Sequence, residues 1–212
     1  PALAVDFFLT GMDAYRDDDF GRAAASLGAA LRAEPTHFGA QYLLAVCHLR
    51  QGQAQEAKVG LTRCLAQRPG FIWPRLLRAS AEMELARRGP GDYATARADL
   101  DAVLANPPDE SARYAALTNR GVLAIHQRDW DDAVADLSVA IKLKPDAVPA
   151  YVNLALAHRS RADAPPWRGD VLGLAPMPAS AYGLFAARAA HRASALDAAV
   201  ATLDEAIARR PT

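Results

Sequence analysis

The feature that most restricts how this chain can fold is a recurring set of intervals. From Gly121 the steps to Ala133, Leu137, Ala140 and Pro145 are 12, 16, 19 and 24 residues. Gly11 gives the same steps to Ala23, Leu27, Ala30 and Pro35. Ala45 gives them to Ala57, Leu61, Cys64 and Pro69, and Ala187 to Ala199, Leu203, Ala206 and Pro211. Another frame matches in its second half, through Tyr93, Ala96, Leu100, Val103 and Pro108. Within these frames apolar residues recur three and four apart, the period of a helix with one buried face. In the clearest frame, Tyr114 to Asp146, two such segments flank a polar turn, Gln127 to Asp132. Its acids suit the start of a helix, and Pro145 ends the second segment. Each frame is therefore expected to be a helix pair. A small residue of the first helix lets the second approach, and a large apolar residue fills the space beside it.

A small residue in the first helix, an aromatic before the second, Ala and then a large apolar residue within it, and a closing Pro together resemble the tetratricopeptide repeat family. Gly121, Trp130, Ala133, Leu137, Ala140 and Pro145 fill those places. The resemblance covers nearly the whole chain. It implies an all-α fold, a right-handed superhelical solenoid of antiparallel helix pairs forming one domain over residues 1–212. Repeats are expected at about 4–37, 38–71, 72–110 and 114–147, with a degenerate one at 148–179 and a last one at 180–212. The third is longer through residues 87–92, read as an extended loop between its helices. The fifth keeps a first helix at about 148–161. Asp163 to Pro178 then places Pro, Gly and Asp where Ala and Leu are needed, so at most two helical turns are expected there. Two readings of that stretch stand: sequence drift, or a joint or docking feature anchored by Trp167. The chain opens at a repeat edge and ends at Pro211-Thr212 without a polar capping helix. It reads as part of a longer protein, with self-association through the uncapped C-terminal repeat as a further possibility.

Composition narrows the functional classes. The 24 basic and 24 acidic residues cancel, so the basic footprint of a nucleic-acid binder is missing. No apolar run approaches the roughly 18 residues of a membrane span, and no targeting segment is visible, so a cytoplasmic protein is expected. Only three of the basic residues are lysine and alanine is abundant, which reads as the codon bias of a GC-rich, bacterial genome. Cys47 and Cys64 fall at small-residue packing positions and are read as buried free thiols, with a disulfide as the alternative. The chain lacks a nucleophile elbow, a phosphate-binding glycine loop, HExxH and CxxC. No catalytic residue, cofactor or metal is assigned. Of His37, His48, His126, His158 and His191, His48 and His158 stand where these repeats often carry Tyr, so packing is their expected role. Asp17, Asp18 and Asp19 are read as helix-capping acids rather than a metal site.

Two Arg–Asp pairs recur. Arg78 and Arg120 each directly precede the small residue of a first helix, while Asp99 and Asp136 each follow the first Ala of a second helix by three. Repeats one and two lack both partners, carrying Thr10 with Ser26 and Leu44 with Gly60. Pairs that come and go together are expected to touch within a repeat, because an Arg near a helix interface needs a partner.

The resemblance also implies a concave groove lined by the inner faces of the first helices. Phe8, Met12, Tyr15 and Arg16 would lie on it, then Tyr42, Val46 and Arg50, then Trp73 and Met83, then Val122 and His126. This strip is apolar and aromatic with arginines at its edge, the side chains that anchor protein interfaces. Phe8 and Met12 stand where a chaperone-type carboxylate clamp would carry Lys and Asn. Asn119 and Asn153 hold a commonly Asn-bearing place but lack the lysines. The expected function is a non-catalytic scaffold binding a protein or peptide, hydrophobic with an acidic flank. The alternative is a regulatory or scaffolding segment of a larger enzyme, such as a bacterial Ser/Thr protein kinase.

Overall fold

Small residues at helix crossings set the architecture. The computed structural model describes residues 3–89, 93–163, 194, 197–205 and 208, and among them helices are joined by turns, with no strand. Two compact units divide the chain, Pro1–Asn119 and Arg120–Thr212.

In the first unit α1 (Ala4–Arg16) pairs with α2 (Phe20–Ala33), α3 (Phe38–Arg50) with α4 (Ala54–Gln67), and α5 (Trp73–Arg88) with α6 (Ala94–Ala105). Neighbouring pairs meet through α2 against α3 and α4 against α5, and the first helices touch, α1 to α3 and α3 to α5. The second helices place Ala23, Leu27 and Ala30, then Ala57, Leu61 and Cys64, then Ala96, Leu100 and Val103 at the bottom of the core, all buried. Gly11 shows why the facing position is small: a Cβ there would stand 2.7 Å from Leu27 Cγ. Cys47 and Cys64 are buried, free thiols.

The turns within the pairs repeat one device. Asp18, Gly52 and Arg128 have φ of 57°, 73° and 64°, and each lies seven residues after the small residue of its first helix. The next amide reaches back to close the helix: Asp19 N donates to Ala14 O, Gln53 N to His48 O, and Asp129 N to Ala124 O, at 2.8–2.9 Å. This is a Schellman closure. Left-handed backbone costs a non-glycine residue roughly 1–2 kcal/mol, and these bonds help offset it at Asp18 and Arg128. Asp19 then caps α2 by accepting from Arg22 N at 3.0 Å. His37 caps α3 through its Nδ1, which accepts from Ala40 N at 3.0 Å.

Two boundaries differ from the sequence reading. Arg87 and Arg88, assigned above to a loop, lie in the last turn of α5, where both bond Glu84 one turn earlier. The helix α7 (Glu110–Gln127) begins four residues before Tyr114, because the Asp109 carboxylate accepts from Ala112 N at 2.7 Å and opens the helix there.

In the second unit the end of α7, α8 (Trp130–Leu143) and α9 (Val148–Asp163) build a core of Ala124, Ala133, Leu137, Leu154 and Ala157. Tyr151 is buried on α9, and its hydroxyl lies 3.5 Å from Glu205 Oε1 on the helical segment 197–205. On that segment Ala199 is buried and Leu203 is 41% exposed. The stretch 164–178 with Trp167, and Ala187, Ala206, Ile207 and Pro211, lie outside the described residues.

Candidate functional site

The recurring arginines and aspartates meet inside their own helix pairs. Arg78 of α5 donates to both oxygens of Asp99 of α6, Nε to Oδ2 at 2.7 Å and Nη2 to Oδ1 at 2.8 Å. This is the parallel fork that a guanidinium makes with a carboxylate. Its third nitrogen donates to Thr62 Oγ1 of α4 at 3.2 Å, so one side chain ties three helices together. Asp99 is only 2% exposed, and the bond to it holds the Arg78 proton more tightly than usual. Arg75, one turn before Arg78, adds a contact to Asp99 at 3.3 Å. In the second unit Arg120 makes the same fork with Asp136, at 2.7 and 2.8 Å.

The residues proposed to line a groove occupy varied environments. Phe8 is half-buried against the start of α3, its ring 4.6 Å from that of His37. Met12 and Val46 are half-buried. Tyr15 packs edge-on to Phe20 at 5.7 Å. Burial raises the pKa of Tyr42, and the nearby Tyr15 and Cys64 add to the shift. Arg16 is exposed and pairs with the equally exposed Asp13 at 3.2 Å. Arg50 lies over the Phe20 ring at 5.4 Å. Trp73 opens α5 and is 38% exposed, whereas Met83 is 7% exposed and belongs to the packed interior of its helix. In the second unit Val122 is half-buried and His126 exposed.

Sequence reasoning missed an aromatic cluster. Phe38 stacks on Tyr42 one turn later, and Phe71, from the turn between α4 and α5, meets both edge-on at 5.4 and 5.6 Å. Arg68 covers the Phe38 ring at 4.3 Å, a cation–π contact. The only prior signal was a Phe after the closing Pro69, outside any periodic segment. The shifts of His48 and His158 are those of packing. Burial lowers the pKa of His48 against the opposing pull of Glu56, and burial with Arg161 lowers that of His158. Among the described residues no group of three or more His, Cys, Asp or Glu converges as metal ligands would. None of their helices is long and apolar enough to cross a membrane.

The family model described as tetratricopeptide repeat matches residues 8–60 and 85–148, more than half of the chain. A crystal structure of MamA protein is similar over 97% of this chain and 91% of its own, at 16% identity and a TM-score of 0.63. MamA 41-end from Desulfovibrio magneticus RS-1 is similar over 92% and 94%, at 15% identity and 0.61. A tetratricopeptide repeat protein from Parabacteroides merdae ATCC 43184 is similar over 99% and 81%, at 22% identity and 0.58. At these identities the likeness is one of fold. No curated protein matches the chain.

Proposed function

The chain belongs to the tetratricopeptide repeat family, and on that premise we propose that it is a non-catalytic protein-binding module whose first helices receive a peptide. The observation that carries this reading is the aromatic surface of the first unit. Phe38, Tyr42 and Phe71 form one cluster with Arg68 upon it, Tyr15 neighbours Tyr42, and Trp73 stands 38% exposed two residues beyond Phe71. Aromatic side chains offer large contact area with few torsions to freeze, and with Arg they dominate interface energetics.

The ligand is an apolar segment with an acidic flank. Arg16 supports that flank, because its pair with Asp13 is exposed on both sides. Such a pair contributes about 0–1 kcal/mol, so a ligand carboxylate can replace it at little cost. In the second unit Val122 and His126 hold equivalent places on α7 and are assigned the same use there. Selection of a random displayed-peptide library on the whole chain tests the reading. Enriched peptides should combine apolar anchors with Asp or Glu, and they should compete with one another. A library that yields no enrichment, or peptides that bind Tyr42→Ala and Trp73→Ala chains as well as wild type, would count against it.

A further inference from the structure

Repeats three and four fill the space between their helices with an Arg–Asp fork, but repeat two has Leu44 and Gly60 at those two places. A cavity of about 300 Å³ opens there, between α2, α3 and α4. Leu31, Leu44 and Val59 form its apolar walls, and Gln41 and His48 contribute polar groups from α3. Glu56 and Arg63 stand at its rim, both exposed and of opposite sign. Gln41, Leu44 and His48 follow one another at three- and four-residue steps, so they share one face of α3. Tyr42, Val46 and Leu49 hold another face. The cavity is thus separate from the surface proposed above for peptides.

Gln41 is the residue that gives this cavity a chemistry. It is 95% buried, and its Nε2 lies 3.1 Å from where a Cβ on Gly60 would stand, at the cavity wall. Among the described residues no side-chain hydrogen bond engages its carboxamide, and its oxygen and nitrogen are not among the sealed polar atoms left unpaired, so the amide is open to the cavity. The absence of a side chain at Gly60 keeps the amide open to the cavity. A carboxamide presents a donor and an acceptor side by side, so its best complement is another planar N–H/C=O pair. The opposed rim charges favour neither a cation nor an anion, and a volume at the small end of ligand pockets admits one group of side-chain size rather than a nucleotide.

We infer that this cavity binds a neutral amide-bearing group, a carboxamide or lactam on a short apolar body, through two hydrogen bonds to Gln41. The group could come from a free small molecule or from a Gln or Asn side chain of a partner chain. The test follows the Gln41 side-chain and Gly60 backbone amides by NMR in the 15N-labelled whole chain, titrated with 2-pyrrolidinone. Saturable shifts of both signals are expected, with a Kd of about 1–10 mM, as befits so small a fragment. Cyclopentanone, the same ring without the N–H, should bind at least about tenfold more weakly, the loss that follows when one buried hydrogen bond is left unmade. Gln41→Leu should lose the response while melting no lower than wild type. Leu44→Trp, which fills the space, is a second variant should Gln41→Leu misfold. Free L-glutamine and a short Ala/Ser peptide with one central Gln then distinguish the sources, the tighter of the two naming its origin. The inference is overturned if 2-pyrrolidinone gives no saturable shift by about 50 mM, well above the affinity expected of a fragment. It is equally overturned if cyclopentanone matches 2-pyrrolidinone, or if a folded Gln41→Leu chain responds like wild type.

Discussion

Gly121 of α7 lies directly beneath Leu137 of α8: a Cβ on the glycine would stand 2.6 Å from Leu137 Cγ, with both Cδ atoms within 3.2 Å. Leu137 is fully buried and cannot swing aside cheaply. Replacing a helical Gly by Ala ordinarily stabilises by roughly 0.5–1 kcal/mol. At this crossing the clash outweighs that gain, and Gly121→Ala is expected to destabilise by about 1–3 kcal/mol. Gly28 is the internal control, since its nearest neighbour is the end of Arg32 at 3.6 Å. Gly28→Ala should stabilise. Urea unfolding of the two variants measures both signs, and stabilisation by Gly121→Ala would show that the helices can part.

The two Arg–Asp forks should differ in energetic weight. Asp99 is almost fully buried, with its side chain 3% exposed, while the Asp136 side chain is 13% exposed and that of Arg120 30%. Removing one partner of a buried pair leaves a charge in low dielectric and costs about 3–5 kcal/mol. Arg78→Ala should approach that range, softened by the remaining Arg75 contact, and Arg120→Ala should fall below it. The double variant Arg78→Ala/Asp99→Ala should recover part of the loss, because no buried carboxylate is then left unpaired. A double-mutant cycle by denaturant unfolding checks this, with strict additivity as the opposing result.

Burial pushes both thiols, Cys47 and Cys64, up to about 11 from an ordinary 9. At pH 8 the thiolate fraction is then about 1 in 1,000 instead of about 1 in 10, and the thiolate is the reactive form. Neither cysteine should react with iodoacetamide in the native chain over the time that modifies both in denaturant. The sign for stability follows from linkage. The folded chain keeps protons that the unfolded chain releases, so this contribution is fully present below pH 9 and is lost as pH rises from 9 towards 11. Melting temperature recorded across that window should fall, and Cys47→Ala/Cys64→Ala should flatten the fall.

The helix crossings and the forks were legible in the sequence because spacing alone fixes them. A sixteen-residue step puts Gly11 over Leu27 and Gly121 over Leu137, and the joint appearance of Arg and Asp at fixed places marked contacts before any distance was known. What escaped depends on the path of the chain between periodic segments. Phe71 sits in a turn, so nothing in a helical period joins it to Phe38 and Tyr42. The carboxylate of Asp109 starts α7 early, which only its bond to Ala112 reveals. Met83 stands at a place that reads as groove-lining, yet its exposure is set by how closely its neighbours pack. The sequence likewise showed that repeat two lacks the fork, but not that its neighbours leave the space open.

Trp73→Ala, measured for both stability and binding, is the most direct test of the claim that the first helices receive a peptide. The indole is 38% exposed, so a surface role and a core role predict different results. If it is an anchor, the variant should keep its melting temperature to within a few degrees. It should lose about 2 kcal/mol or more, roughly thirtyfold in Kd, against a peptide selected on the wild-type chain. A fall in melting temperature of more than about 8 °C, corresponding to several kcal/mol in a chain of this size, together with unchanged affinity in the folded fraction would place Trp73 in the core and contradict the binding surface proposed for it.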